Sequence, residues 1–434
     1  MQEKDSINRR GFLGAAGAAF TTSLFTGNVK GANDRIRAGF IGVGDMGSGN
    51  LEYAMKQKGL EVVALCDVYQ PNLDDAMATA RKGGFQPKAV HDFREILADK
   101  SIDVVNVSTP DHWHAYITVE ACKSGKDVYV EKPISRTLEE GKIMVEAARK
   151  YNRVVQAGTM QRSAPHFQKA CEIVRSGQIG DVKFCRTFTY GNGKRTGIGN
   201  PPDAPPPAGL DWDLWLGPAP QRPFNENRCG STLKNTTSSF RFFWDYAGGM
   251  MTDWGIHVLD IVHMALGEQI PKSVTSMGGR WWYQDDAETP DTLQVTYEYP
   301  GFLALYENRS SNENHIFDQG YGTAFHGSEA TLFVNREFYR LIPEKKGGEV
   351  VEVKRSGRGN LEHWANFLDC VKTRQKPASD VEVCYKSTAA CLLGNAAYRT
   401  GLRLDWDEEN QTVKQEDARK YLQFDYRAPW KLTA

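Results

Sequence analysis

Three side chains in this sequence are of types that move protons in enzyme active sites. Asp253 and His257 are four residues apart in a segment that predicts a helix, so we expect them to share one face of it. A carboxylate placed in this way can orient an imidazole or raise its pKa. Lys132 follows a predicted strand and precedes a proline, where its ammonium can project into a crevice and hold a substrate oxygen. Ordinary structural roles also fit these residues: a surface pair, a helix cap for Asp253 and a lysine at a turn. No metal site is expected, because further ligands at useful spacing are lacking.

A glycine-rich turn near the start of the chain is typical of dinucleotide binding. Gly42-Val43-Gly44-Asp45-Met46-Gly47 follows the apolar strand that begins at Ile36, and it opens a helix. The first glycine permits the tight turn, the second lets the backbone approach a pyrophosphate, and the third lets the helix pack on the strand. Asp67 ends the next apolar strand, 20 residues past Gly47, where a carboxylate can bind both ribose hydroxyls and repel a 2′-phosphate. The sequence therefore predicts NAD as cofactor in preference to NADP.

The elements around these residues alternate between strand and helix. From residue 35 to about residue 157, apolar strands and helices follow one another, as a doubly wound parallel sheet requires. One of the helices is predicted to begin at Ala115, after the segment 109–114 that closes a strand. Ligands of such sheets bind beyond the carboxyl ends of the strands. Three polar segments fall at those ends, and we expect them around the nicotinamide: Ser108-Thr109-Pro110, Glu131-Lys132-Pro133 and residues 158–162.

The chain changes character after Gly158. Residues 191–209 are rich in glycine and proline and predict a surface loop that covers a site. Strands with period-two alternation recur between Ser273 and Pro343, which indicates an antiparallel sheet in a domain of α+β type. We therefore predict three parts: a signal segment (1–33), an α/β Rossmann domain (34–157) and an α+β domain for substrate binding and oligomerisation (158–434).

Composition argues against several classes of partner. The 434 residues carry a formal net charge of −1, which gives no indication of binding to nucleic acid or to an anionic membrane surface. A hydrophobic fraction of 40% and a charged fraction of 25% are typical of a globular protein. The eight cysteines are scattered and include no C-x-x-C pair, so we expect free, buried thiols.

The N-terminus resembles an export signal. Asn8-Arg9-Arg10-Gly11-Phe12-Leu13 is similar to a twin-arginine motif, and an apolar run follows to about Phe25. That run is too short for a membrane span, although retention as a signal anchor stays open, as does a disordered basic tail. We expect a periplasmic protein exported in the folded state. Because that compartment lacks a nicotinamide pool, such a protein should hold NAD tightly and return it to its starting redox state in each cycle.

Four motifs in order resemble the Gfo/Idh/MocA family of oxidoreductases, which includes glucose-fructose oxidoreductase and inositol dehydrogenase. They are the glycine turn after Ile36, Thr-Pro-Asp-His-Trp-His at 109–114, Glu-Lys-Pro at 131–133, and Asp253-x-x-x-His257. The resemblance covers about residues 35–400. It implies a Rossmann domain followed by a domain with a large, open, mostly antiparallel sheet that often serves oligomerisation, so a homodimer or homotetramer is expected.

The resemblance also implies residue roles. His257 is the expected general base for a substrate hydroxyl while hydride passes to the nicotinamide, Lys132 polarises the reacting oxygen, and Asp253 orients the substrate or His257. Arg162, Arg241 and Trp254 are weaker candidates for substrate contacts, because a surface salt bridge or core packing explains them equally well. The expected cofactor-binding residues are Gly42, Gly44, Asp45, Met46, Gly47, Asp67, Ser108, Thr109, His114, Glu131, Lys132 and Gln161.

The function expected from this resemblance is NAD-dependent oxidation or reduction at a secondary hydroxyl of a sugar, polyol or glycoside. One alternative is a redox-neutral, NAD-dependent glycosidase of the same superfamily, which oxidises a sugar carbon transiently and eliminates the aglycone. The His-Trp-His-Trp motif of that group is absent, and Phe240-Arg241-Phe242-Phe243-Trp244 stands in the corresponding place. A second alternative is a non-catalytic sensor like the family's repressor of galactose regulation. Export and the intact set of Lys132, Asp253 and His257 oppose a sensor.

Overall fold

The structure, a computed structural model, describes residues 35–230, 232–233 and 238–434. The twin-arginine motif at residues 8–13 lies outside the described residues. Two sheets organise the described chain, a six-stranded sheet near its start and a ten-stranded sheet in the remainder.

The first sheet is entirely parallel, in the strand order β3-β2-β1-β4-β5-β6. The order reverses between β1 and β4, so the carboxyl ends of these two strands open onto a crevice. Every residue of β4 and β5 is buried, which explains why their sequences are mostly apolar without alternation, with Asn106 and Asp127 as the polar exceptions. The strands are β1 (Ile36–Ile41), β2 (Leu60–Cys66), β3 (Lys88–Val90), β4 (Val104–Val107), β5 (Asp127–Val130) and β6 (Val155–Ala157).

Five helices connect these strands and confirm the predicted doubly wound arrangement. They are α1 (Asp45–Met55), α2 (Gln70–Lys82), α3 (Phe93–Ala98), α4 (Asp111–Lys123) and α5 (Leu138–Lys150). A capping box formed by Thr137 and Glu140 fixes the start of α5. The prediction that a helix begins at Ala115 was wrong, because α4 begins at Asp111. Residues 111–114, which were assigned to the close of the preceding strand, are buried in the first turn of α4, where the side chains of His112 and Trp113 both bond the Trp215 carbonyl oxygen.

The second sheet has the order β14-β13-β12-β11-β7-β10-β9-β8-β15-β16. Only β7 and β10 pair in parallel among its described neighbours, which confirms a large, mostly antiparallel sheet. Its strands are β7 (Phe184–Tyr190), β8 (Ser273–Gly279), β9 (Thr292–Tyr299), β10 (Phe302–Arg309), β11 (Tyr321–His326), β12 (Ala330–Val334), β13 (Phe338–Pro343), β14 (Val351–Lys354), β15 (Leu404–Asp407) and β16 (Thr412–Val413). The sequence did not predict β11, β14, β15 or β16.

The helices of this second part pack on the sheet and on the Rossmann core. They are α6 (Pro165–Arg175), α7 (Trp212–Leu216), α8 (Ile256–Leu266), α9 (Asn360–Thr373), α10 (Val381–Thr400) and α11 (Glu416–Arg419). Short 3₁₀ turns span Met160–Ser163 and Ser239–Phe242, and a π-helical turn spans Met251–Gly255. In α9, Trp364 and Phe367 are buried in the Rossmann core.

Two further expectations concern cysteines and membrane spans. All eight cysteines are free and buried, which confirms the prediction of buried thiols. Among the described residues, none of the helices combines the length and apolarity that crossing a bilayer requires.

Candidate active site

The glycine turn after β1 forms the floor of a cleft at the carboxyl edge of the parallel sheet. Gly42 has φ +80°, and a Cβ atom there would lie 2.8 Å from the Ser108 carbonyl oxygen and the Thr109 nitrogen. A Cβ atom on Gly47 would lie 1.9 Å from the Gly42 carbonyl oxygen, so only glycine lets α1 pack this closely. No side chain caps the start of α1, and its first amides are therefore available to an anionic ligand.

The cleft contains about 910 Å³ of empty space, part of it open to solvent. Ten of the twelve predicted cofactor-binding residues line it: Gly42, Gly44, Asp45, Met46, Asp67, Ser108, Thr109, His114, Glu131 and Lys132. Gly47 lies behind the turn, and Gln161 lies next to His257, whose carbonyl oxygen accepts a hydrogen bond from the Gln161 amide at 3.2 Å.

Asp67 is fixed at the end of β2. Its Oδ2 accepts a hydrogen bond from the Val43 amide at 2.9 Å, and its Oδ1 accepts one from the Tyr69 amide at 2.9 Å. These bonds tie the carboxylate to the glycine turn and keep it at the wall of the cleft. Lys132 and Arg241 are the lysine and arginine among the described residues that line the cleft. Neither of them lies in the segment that follows β2 and Asp67, where a cation could pair with a 2′-phosphate.

Asn50 in α1 joins the ends of two strands beneath the cleft. Its amide donates to Ser108 Oγ at 3.0 Å and to Glu131 Oε1 at 2.9 Å. His114 makes a second link, since its ring nitrogens lie 2.8 Å from the Thr109 carbonyl oxygen and 2.7 Å from that of Pro133. The sequence analysis missed Asn50. Its position one turn beyond the third glycine, facing the strand ends, is the signal that could have identified it.

A second group of charges lies where the cleft meets the second domain. Lys132 Nζ is 2.6 Å from Asp253 Oδ1 and also donates to the Asp253 carbonyl oxygen at 3.2 Å. Arg241 Nε approaches the same Oδ1 at 2.9 Å. Burial by itself would raise the pKa of Asp253, but the ammonium of Lys132 and the guanidinium of Arg241 outweigh it and hold this pKa well below its usual range. Asp253 is therefore ionised across the physiological pH range.

Asp111, at the start of α4, is a second carboxyl group beside these cations. It is buried, lines the cleft and is influenced by Arg241, Lys132 and Asp253. Burial raises the pKa of Asp111 to about 7, because the attraction of Arg241 and Lys132 offsets only part of the desolvation and Asp253 adds repulsion. The sequence analysis quoted Asp111 within a motif and gave it no role.

His257 lies in the first turn of α8 and is buried. Its Nδ1 has no hydrogen-bond partner among the described residues. Burial and the positive charges of Arg336 and Lys132 lower the pKa of His257 well below its usual value, and Asp253 opposes them only in part. The expected upward effect of Asp253 on this pKa is therefore present but outweighed. The result is a neutral imidazole, the form that a general base requires.

Arg336, between β12 and β13, is a third cation near His257 and was not foreseen. Its guanidinium lies 4.7 Å from the ring of Trp254, and its Nε donates to Gln161 Oε1 at 3.3 Å. The Trp254 ring in turn contacts the ring of His257, with centroids 6.1 Å apart. Trp254 thus lies at the site, as expected, although an arginine covers one of its faces.

The other arginine expected to touch substrate lies elsewhere. Arg162 is buried in an ion-pair network with Asp260 at 2.8 Å and Glu268 at 2.9 Å. Ser387 adds a hydrogen bond to Asp260 at 2.6 Å. This network holds the turn after β6 against α8, and Arg162 does not line the cleft.

A segment of the second domain covers part of the cleft. The Asp211 amide donates to the Val68 carbonyl oxygen at 2.9 Å, and Asn72 donates to the Thr232 carbonyl oxygen at 2.9 Å. The described lining residues from this segment are Leu214, Trp215, Thr232, Phe240 and Arg241. Residues 191–209, which the sequence analysis assigned to such a cover, contribute none of the described lining residues.

Together these residues form a cleft lined by Lys132, and the ionised carboxylate of Asp253 and the neutral imidazole of His257 lie beside this lysine. Such a group can hold a hydroxyl oxygen and accept its proton. In the described part of the chain, no cluster of three or more histidine, cysteine, aspartate or glutamate side chains suits a metal ion.

Comparison with family models covers both parts of the chain. The model "Oxidoreductase family, NAD-binding Rossmann fold" of GFO_IDH_MocA matches residues 36–159. The model "Oxidoreductase family, C-terminal alpha/beta domain" of GFO_IDH_MocA_C2 matches residues 172–432.

Individual relatives are more distant. A glycosyl hydrolase family 109 protein from Shewanella putrefaciens is 33% identical over 209 residues, and one from Shewanella baltica is 35% identical over the same length. Each of these matches covers 41% of this chain and 44% of the relative, so the chain spans less than half the length of these curated relatives.

Solved structures show the same fold over a longer stretch. Levoglucosan dehydrogenase in complex with NADH and levoglucosan superposes with a TM-score of 0.66 at 19% identity, covering 86% of this chain and 99% of that one. An NAD-binding protein from Listeria innocua gives a TM-score of 0.62 at 19% identity, covering 86% of this chain and 97% of that one.

Proposed function

Because the chain belongs to the Gfo/Idh/MocA oxidoreductase family, we propose that it transfers hydride between NAD and a secondary hydroxyl carbon of a sugar, polyol or glycoside. The observation that carries this proposal is the contact between Lys132 and Asp253, beside a neutral His257, where the dinucleotide cleft meets the second domain. The fold shared with levoglucosan dehydrogenase, whose complex contains NADH and a sugar derivative, agrees with a carbohydrate substrate.

The residues of the cleft fit a nicotinamide dinucleotide. The uncapped start of α1 suits a pyrophosphate, and the glycine turn leaves no side chain in the way. Asp67 stands where the adenosine ribose of such a cofactor would be bound, and its negative charge disfavours a 2′-phosphate, so we propose NAD over NADP. When bound, the nicotinamide ring would accept a hydride from the carbon that bears the reacting hydroxyl, or return a hydride to that carbon.

The chain's own residues divide the proton chemistry. The Lys132 ammonium, held by Asp253 Oδ1, donates a hydrogen bond to the reacting oxygen and favours its deprotonation. The imidazole of His257, kept neutral by burial and by nearby cations, accepts the proton. Asp253 fixes the position of Lys132 and, with Arg241, stays ionised throughout.

The proposal extends to location and assembly. The twin-arginine motif supports export of the folded protein to the periplasm, where a tightly held cofactor would be recycled within each turnover. We also propose a homodimer or homotetramer. Exposed apolar side chains on the second domain support it, since Met277 in β8 is 81% exposed and Trp281 beside it is 69% exposed.

A redox-neutral glycosidase is the second candidate. It is favoured by the relatives named glycosyl hydrolase family 109 proteins, which match part of this chain at 33–35% identity. The same Lys132, Asp253 and His257 would serve the transient oxidation. The carbon next to the new carbonyl would then lose a proton while the aglycone leaves from the adjoining anomeric carbon, after which water adds and the hydride is returned to the carbonyl.

The first experiment measures the cofactor of the purified protein. The protein is purified without added nucleotide and denatured, and released NAD and NADH are quantified. We expect close to one nicotinamide per chain. The intact protein is then mixed with sugars, polyols and aryl glycosides, while absorbance at the NADH wavelength and aglycone release are followed together. Reduction of the bound NAD without aglycone release supports the oxidoreductase. Aglycone release that is stoichiometric with the glycoside consumed supports the glycosidase. A protein that binds no dinucleotide contradicts both.

Lys132→Met tests the assignment of the site. It should keep the bound cofactor, which the glycine turn and Asp67 would hold, and lose turnover by roughly 10²–10⁴-fold, because the ammonium that positions the reacting oxygen is removed. Lys123→Met, at a lysine paired with Glu120 on α4, is the matched control and should keep full turnover. A Lys132→Met protein with normal turnover would show that the chemistry occurs elsewhere.

A further inference from the structure

Arg336 is a cation beside the active site without a carboxylate partner. Among the described residues, no aspartate or glutamate forms an ion pair with it. By contrast, each of the other cations near the reaction centre has a partner, since Lys132 and Arg241 share Asp253. Burial lowers the pKa of Arg336, because the attraction of nearby groups does not fully offset the cost of removing its charge from water.

The guanidinium of Arg336 is held in place by uncharged groups. Trp254 lies under its plane at 4.7 Å, and Gln161 accepts a hydrogen bond from Nε at 3.3 Å. The ring of Tyr321 packs against Trp254 with centroids 5.1 Å apart. An indole, an amide and a phenol therefore position the arginine without neutralising it. Its two Nη groups carry the donors that match a planar carboxylate.

The same contacts connect Arg336 to the catalytic histidine. Gln161 bonds both Arg336 and the carbonyl oxygen of His257, and Trp254 contacts the His257 ring. Arg336 is also the foremost of the charges that lower the pKa of His257. A group bound at Arg336 would thus be part of the same substrate molecule that reacts at His257.

We propose that Arg336 binds a carboxylate of the substrate, so that the substrates are sugar acids such as hexuronates and their glycosides. This proposal rests on the proposed function, because it assigns the substrate class of the same site. A carboxylate fits better than a phosphate, since Arg336 offers one positive charge with no ion-pair partner among the described residues, and Trp254, Gln161 and Tyr321 around it are neutral. The carboxylates of Asp253, Glu131 and Glu337 offset only part of the cost of desolvating this charge. A neutral sugar would leave the partly buried charge without an ion-pair partner.

The test uses matched pairs of methyl glycosides and methyl uronides in the gluco, galacto and manno series, with the cofactor-loaded protein. Calorimetry measures binding, and NADH absorbance measures turnover. For at least one pair we expect the uronide to bind at least 10-fold more tightly than the neutral glycoside. Arg336→Gln should weaken binding of that uronide by about 100-fold and of its neutral partner by less than about threefold.

Arg355→Gln is the matched control. Arg355 lies near Arg336 in the structure and already forms an ion pair with Glu337 at 3.3 Å. The same substitution at Arg355 should therefore leave uronide binding unchanged. A uronide preference that survives in Arg336→Gln, or no uronide preference in any pair, overturns the proposal. Tighter binding of sugar phosphates than of uronides overturns it as well.

The outcomes separate this proposal from the proposed function. Oxidation of neutral sugars, together with the absence of a uronide preference in every pair, would leave the proposed function in place and reject the carboxylate site. Uronide binding that depends on Arg336, without any reduction or release of product, would support the carboxylate site and reject the oxidoreductase.

Discussion

Two carboxyl groups at the active site share two cations unequally. Asp253 contacts both Lys132 and Arg241 directly and remains ionised. Asp111 feels the same two cations without an ion pair to either in the described chain, and burial raises its pKa to about 7. The site therefore has one permanent negative charge and one that depends on pH near neutrality.

The protonation of Asp111 leads to a prediction about stability. The folded pKa of about 7 lies above the usual value of 3.8, so the folded protein holds this proton longer than the unfolded chain. The stability that wild type has relative to Asp111→Asn should therefore fall as pH rises from about 4 to about 7, and then level off. Urea unfolding of both proteins at a series of pH values measures this difference.

The matched control for this prediction is Asp318→Asn, because the side chain of Asp318 is 89% exposed. Its stability difference from wild type should not vary across the same pH window. A constant difference for Asp111→Asn, or one that varies only below pH 4, would show that Asp111 is ionised throughout.

The sequence identified most of the site but not its pairings. Residues in motifs, such as Lys132 and Asp67, were predicted because strand ends of a parallel sheet meet at one edge. The contact of Asp253 with Lys132 was not predictable, since these residues are 121 positions apart on different elements. Arg241, which also contacts Asp253, is nearer in the chain but lies on a separate 3₁₀ turn. Arg336 follows a strand of the second sheet, where local pattern gives no indication of a nearby active site.

At the scale of elements, the π-helical turn at Met251–Gly255 decides which way Asp253 points. The sequence predicted one regular helix with Asp253 and His257 on a common face. In the structure the wider turn precedes α8, and the carboxylate of Asp253 contacts Lys132 while His257 Nδ1 has no described partner. Such turns are common at functional sites, and sequence periodicity does not reveal them.

Gly249 lets the chain enter this turn. It has φ +67°, and a Cβ atom there would lie 2.6 Å from the Thr289 side chain. We expect Gly249→Ala to lower the free energy of unfolding by about 3 kcal/mol, through backbone strain and overpacking. Turnover should fall as well, because the turn positions Asp253. Urea unfolding and steady-state kinetics measure the two effects.

Gly401 provides a control that isolates the strain. It has φ +68° at the end of α10, and no heavy atom lies within 4 Å of a Cβ placed there. Gly401→Ala should cost about 1 kcal/mol of stability and leave turnover unchanged. Equal costs at the two glycines would mean that the contact with Thr289 relaxes freely and that the entry to the turn is not tightly specified.

At the scale of the whole molecule, α9 belongs to the second half of the chain but packs on the Rossmann core. Its Trp364 stacks on Tyr129 of β5, with ring centroids 4.5 Å apart and planes within 3°. Trp364 Nε1 also lies 3.3 Å from Asn50 Oδ1, and Asn50 in turn bonds Ser108 and Glu131 at the cleft. A helix of the second half of the chain thus completes the Rossmann core and supports the cofactor-binding edge.

This arrangement explains why the first sheet was easier to predict than the second. Each strand of the first sheet is followed closely by its helix, and its core is apolar in sequence. In the second sheet, β7 pairs with β10 and β11, which lie more than a hundred residues away. The strands β14, β15 and β16 have four, four and two residues, so their alternation is too brief to identify a strand.

The joint core predicts that the two parts unfold together. Trp364→Ala should lower the free energy of unfolding by about 3–5 kcal/mol, because it removes a fully buried indole from between β5 and α9. Trp364→Phe keeps a ring against Tyr129 and loses the bond to Asn50, so it should cost less. Leu361→Ala, at a side chain on α9 that is 43% exposed, is the matched control and should change stability little. Unfolding is followed by fluorescence, circular dichroism and loss of bound dinucleotide, and the three transitions should coincide in every variant. Release of the dinucleotide at a lower urea concentration than the loss of secondary structure would instead show that the Rossmann half opens independently, and that α9 covers its core without stabilising it.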